Sequence, residues 1–102
     1  MAYNPPRRNV AFVTRVSLDS YASPGRAQVT PTLAAGDVKV DKDGAGLNNL
    51  NTLPTVSPSG SQLVLVSLLA AEMDADVVTI VFRDQTAPPE WCDLTLCIET
   101  TA

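Results

Sequence analysis

Three carboxylates fall within five residues, at Glu72, Asp74 and Asp76. Such a group can move protons or hold a hard cation. They lie in the short polar break between two apolar runs and read as a solvated turn. Asp41-Lys42-Asp43-Gly44 opens like a calcium loop, but Ala45, Leu47 and Leu50 stand where further oxygen ligands are required. It reads as a hairpin turn. Ser57, Ser59 and Ser61 crowd a Pro/Gly loop without a Gly-x-Ser-x-Gly elbow. The chain has no histidine, which removes the commonest general base and the commonest zinc ligand. Cys92 and Cys97 therefore lack an imidazole to activate a thiolate. No glycine-rich phosphate loop is present. The expectation is a non-enzymatic chain, with no catalytic residue, cofactor or metal.

The residues suited to contact are different ones. Trp91 serves equally as an interface anchor, as a platform for a sugar ring, or as a lid on the core beside Pro88-Pro89. Tyr3 and Tyr21 fall in expected loops, which favours contact with a partner. Pro5-Pro6 keeps the N-terminal stretch extended, because proline lacks an amide donor and resists helix and central strand alike. Arg7-Arg8 follows, either to meet an acidic patch on a partner or to keep the arm solvated. Tyr3, Pro5, Pro6, Arg7, Arg8, Tyr21 and Trp91 are the candidate partner-binding residues.

Composition narrows the partners. The 102 residues suffice for one domain, and at 45% hydrophobic they can build a core. Only 18% are charged, so the surface is covered by neutral polar residues or by a partner. The net charge of −4 repels phosphate and disfavours nucleic acid. No apolar run approaches the roughly 18 residues that span a bilayer, and Met1 to Pro6 lacks the apolar segment of a signal peptide. Free thiols would fit a reducing compartment.

Strands must position all of this. The organising stretch is Ser61 to Thr100, where apolar runs at 61–69, 77–84 and 90–100 are rich in Val, Leu, Ile and Thr. Asn9 to Leu18 alternates, with Val10, Phe12, Thr14, Val16 and Leu18 on one face. Ala27 to Thr32 reads as a short strand ending near Pro31. Asp37 to Asp41 is another, turned by Asp43-Gly44 into an irregular strand within Leu47 to Leu53. Pro54, Pro58 and Gly60 mark a loop. Ala70 to Asp76 is one helical turn, with Ser67 a possible cap. In the last strand Cys92, Leu94, Leu96, Ile98 and Thr100 share the buried face, and Trp91, Asp93, Thr95, Cys97 and Glu99 the other. The two cysteines, five apart, point to opposite faces and are poorly placed to bridge. The expected fold is all-β: a small antiparallel β-sandwich or jelly roll of six to eight strands over 9–102, with an extended arm at 1–8.

Certain stretches carry a family resemblance. Gly36-Asp37-Val38-Lys39-Val40 with Lys42-Asp43-Gly44, Leu50 to Pro54, Val66 to Asp76, Val81-Phe82-Arg83-Asp84 and Trp91-Cys92-Asp93 resemble small β-sandwich structural proteins of tailed bacteriophages. There a GDVKxSKDGG hairpin precedes an LTAxEMxAD connector. This chain departs at Asp41, where Ser or Asn is usual, and at Leu69, where Thr is. The resemblance spans about residues 9–100 and describes a scaffold without an active site. It implies a virion accessory part, assembled in a host cytoplasm. That part would decorate or cement the capsid shell through contacts with the major capsid protein or other virion proteins, as a homo-oligomer. A neck, tail or baseplate attachment protein is the close rival. A carbohydrate-binding module using Trp91 and Tyr21 is the rival from another class.

Overall fold

A computed structural model describes residues 5–101. The alternating stretches and the apolar runs form strands, and the longer ones turn an apolar face inward. β1 (Phe12–Ser17) and β5 (Leu63–Leu68) pair antiparallel, placing Phe12, Thr14 and Val16 opposite Leu68, Val66 and Val64. The two-residue β4 (Thr55–Val56) borders β5, giving a three-stranded sheet in the order β1-β5-β4. β2 (Val38–Lys42), β3 (Leu47–Asn49), β6 (Val77–Phe82) and β7 (Leu94–Glu99) make a four-stranded sheet in the order β3-β2-β6-β7. A 3₁₀ turn at Ala70–Met73 carries the chain from one sheet to the other.

One core lies between the sheets. Val64, Val66 and Leu68 from the first meet Val38, Val40, Val78, Ile80, Phe82 and Ile98 from the second, with Leu18, Met73 and Trp91 closing the ends. Burying such a side chain stabilises by roughly 1.5–3 kcal/mol. The result is an all-β sandwich of seven strands, within the expected range.

The departures have local causes. Residues 27–32 do not form a strand: Thr30 adopts φ 48°, a left-handed value that breaks extended pairing, and Pro31 is buried. The segment is instead held by a bridge between Asp19 and Ala27, by Gln28 N–H to Leu18 O (2.6 Å) and by Thr30 N–H to Ser61 O (2.9 Å). β4 arises inside the expected 54–60 loop, where Thr55 and Val56 find the free edge of β5. Ser67 does not cap the 3₁₀ turn. Its side chain shares the outer face of β5 with Leu65, while Glu72 reaches back to the Leu69 N–H at 2.8 Å. The described part of the expected arm is not a free extension. Arg7 pairs parallel with Thr101, Arg8 N–H donates to Thr101 O, and Thr101 N–H donates to Pro6 O, both at 2.9 Å.

Candidate functional site

The Asp43-Gly44 turn is built as its composition requires. Both residues have positive φ, at 53° and 82°, and Ala45 N–H closes on Lys42 O at 3.0 Å. That is the type I′ geometry that favours Asp-Gly. Asp41 then accepts N–H bonds from Gly44 (2.9 Å) and Gly46 (2.8 Å), so the would-be calcium ligand braces its own loop. Asp43 reaches across to the connector. Its carboxylate accepts from Val77 N–H at 2.9 Å and from Asp76 N–H at 3.1 Å. These donors hold its carboxyl below the ordinary carboxylate range, against a weaker opposing effect of desolvation, with the Arg8 charge adding to them.

The carboxylates at 72, 74 and 76 have separate tasks. Glu72 accepts from Leu69 N–H and from Asn51 N–H (3.1 Å), fastening the 3₁₀ turn to the loop after β3. Asp74 and Asp76 both receive the Arg8 guanidinium, at 3.1 and 2.8 Å. Arg8 is held above its ordinary pKa by the Asp74 hydrogen bond first and the Asp76 charge second. The pair is exposed, with side-chain accessibilities of 46% for Arg8, 53% for Asp74 and 81% for Asp76. Among the described residues no three His, Cys, Asp or Glu side chains sit together as a metal site.

Two further carboxylates tie the opposite end. Asp37, only 3% exposed, accepts from Ala34 N–H (2.9 Å) and Gln85 N–H (3.1 Å), joining the start of β2 to the end of β6. Asp84 accepts from Thr86 and from Glu90 N–H at 2.7 Å. Burial pushes its pKa up, but the bonds from Thr86, Glu90 and Trp91 together outweigh burial and leave it below the ordinary value. Sequence reasoning did not single out Asp37 or Asp84. The Gln85 donor of Asp37 lies 48 residues away and only the fold brings it near, whereas the Thr86 bonds of Asp84 are local.

The expected contact residues separate into groups. Trp91 is fully buried (0% exposed) and its indole N–H donates to Thr32 O at 3.1 Å. It is a core lid, so its roles as exposed anchor and sugar platform fall away. The alternation did not extend to it because β7 begins only at Leu94, and Trp91 pairs with Ser20 instead. Tyr21 is exposed at 53%. Pro5 and Arg7 are exposed and Pro6 half-buried; Arg8 spends its charge on this chain's own carboxylates. Tyr3 lies outside the described residues. Both cysteines are free, Cys92 half-buried and Cys97 exposed.

Among the described residues β1, β4, β3 and β7 are edge strands, each paired on one side only. A cleft of about 570 Å³ is lined by Pro5 and Pro6 of the N-terminal segment, by Phe12, Leu96 and Ile98, and by polar groups from Thr14 and from Glu99 to Thr101. Val13, 57% exposed, stands on the outer face of the three-stranded sheet, diagonal to the half-buried Leu65. No protein-family model, no curated protein and no solved structure matches the chain. The geometry alone therefore speaks to the site. It is a set of carboxylates that hold turns, beside open sheet edges and a cleft of mixed polar and apolar lining.

Proposed function

We propose that the protein is a non-enzymatic structural part of a bacteriophage virion, decorating or cementing the outer capsid shell. One observation supports this reading above the others. The two motifs that resemble phage structural proteins, the 36–44 hairpin and the 66–76 connector, contact each other. Asp43 takes the Asp76 and Val77 N–H groups, and Lys42 Nζ donates to Ala71 O at 3.2 Å. The shared residues are thus the ones that lock a scaffold, which is what a family defined by a scaffold would retain.

Such a protein acts by mass action. A domain that binds the assembled shell and not its separated subunits stabilises the shell by its binding free energy. The arm, the exposed Tyr21 loop and the open strand edges are the surfaces available for it.

The test is the copy number of the chain in purified virions of the phage that encodes it, measured by quantitative mass spectrometry. A simple ratio to the major capsid protein supports the shell. A handful of copies moves the protein to the neck, tail or baseplate. Absence from the particle overturns the reading.

A further inference from the structure

The segment Pro5–Asn9 forms a strap whose contacts all lie far away in sequence, apart from one turn bond. Its backbone is bonded to Thr101, Asn9 N–H donates to Met73 O at 3.1 Å, and Thr101 Oγ1 donates to Pro6 O at 3.2 Å. Arg8 ends on Asp74 and Asp76. The strap therefore rests on the 3₁₀ connector and on the chain that continues β7. Its tie to β1 is a turn closed by one long bond, Val10 N–H to Arg7 O at 3.3 Å.

That turn is a hinge by construction. Asn9 sits at φ 60°, in the left-handed region that extended chain avoids, and Val10 is 49% exposed. Straightening it returns Asn9 to the extended region and gives up the single Val10–Arg7 bond; the half-buried Pro6 leaves the cleft with it and must find the same cleft on the other copy. The strap's own attachments are equally light, since Pro5, Arg7, Arg8 and Asn9 are all exposed and the ion pairs are solvated.

We propose that the strap is exchanged between copies: Pro5–Asn9 of one chain docks on Thr101, Met73, Asp74 and Asp76 of a second. Every bond it makes to Met73, Asp74, Asp76 and Thr101 is available on the other copy, which is the condition for swapping an element between protomers; only the turn bond between Val10 and Arg7 is given up. In the exchanged pair the Pro5 and Pro6 that line the cleft beside β1 and β7 come from the other copy. This inference does not depend on the virion reading. It concerns what the chain does with another copy of itself.

The test uses full chains in which Cys92→Ser and Cys97→Ser remove the native thiols. One carries Arg7→Cys and the other Thr101→Cys. Neither can close a disulfide on itself, and paired neighbours lie within disulfide reach. The two are mixed at high concentration and oxidised, with the near-ultraviolet signal of Trp91 confirming that each is folded. Exchange predicts that the mixed disulfide dimer exceeds the level set by random pairing of the two thiols, and that Arg8→Ala in the strap donor lowers it. A mixed dimer at the random level overturns the proposal. A chain carrying both cysteines then gives only closed monomer at every concentration.

Discussion

The carboxylate of Asp43 lies 2.9 Å from the backbone nitrogen of Val77, across the gap between the β2–β3 hairpin and the first residue of β6. One side chain at a turn thereby fixes where the next long strand begins. Asp43 has both its ordinary turn role, at φ 53°, and this remote one. Replacing it with Asn keeps a residue that tolerates left-handed backbone and removes the charge. Asp43→Asn is expected to lower the thermal midpoint at neutral pH.

The same residue predicts a pH dependence. The carboxyls of Asp43 and Asp84 are both held below their ordinary value in the folded state. Each therefore adds stability that is complete above the unfolded carboxyl pKa of about 3.9 and is lost as pH falls from there through the lowered folded value. The difference in midpoint between the native chain and Asp43→Asn should be constant from pH 7 to about 5 and shrink below about 4. Melts at a series of pH values decide this, and a difference that does not shrink at all as pH falls below the ordinary carboxyl value would remove the carboxylate from the account.

Burial of Trp91 makes a sharp pair of forecasts. Trp91→Ala should cost about 3–5 kcal/mol, a large share of the roughly 5–15 kcal/mol typical of a domain. Iodide should fail to quench the native tryptophan fluorescence, and a glycan panel should leave its emission unmoved. Efficient quenching would mean the indole is not the core lid described above.

Face assignment in the three-stranded sheet is open to a two-site comparison. Val66 is fully buried and Val13 is 57% exposed. Val66→Thr places a hydroxyl among apolar neighbours and should cost about 1–3 kcal/mol. Val13→Thr should fall within about 0.5 kcal/mol of the native chain. Equal effects in denaturant titrations would contradict the register of β1 on β5.

The thiols should titrate in two phases. Cys97 is exposed on the outer face of the four-stranded sheet, near Thr79, while Cys92 is half-buried with its thiol directed to Ser20 O. An aromatic disulfide reagent should label Cys97 fast and Cys92 slowly, and peptide mapping identifies which is which. Labelling at one common rate would argue against this placement.

β5 and β6 were legible as short apolar runs rich in Val, Leu and Ile, and β1, β2 and β7 by the alternation of their two faces. The hairpin was legible because Asp-Gly names its own turn type. β4 was not, since two residues between prolines carry no period and the pairing partner alone makes them a strand. The Trp91 face was misread because strand parity was carried three residues past the strand's start. Arg8 was expected to reach a partner or to remain solvated. Its carboxylates lie 66 and 68 positions away, and no local pattern connects them. Asp37 and Asp84 escaped notice as well. Asp37 has one such distant donor, Gln85 N–H, whereas Asp84 turns on its own neighbours Thr86 and Glu90, a local bond that an Asp two residues before a Thr offers.

The parallel pairing of Arg7 with Thr101 has a mechanical meaning. In a parallel pair the two chains run the same way, so a pull on the segment before Pro6 and a pull on the segment after Thr101 act in opposite directions along one line. The two backbone bonds between them and the Arg8 ion pairs then bear the load together, in shear, where an antiparallel pair at this place would be peeled open one bond at a time. Tension entering through both ends meets this junction before it reaches any core strand. The strap is the mechanical clasp of the domain.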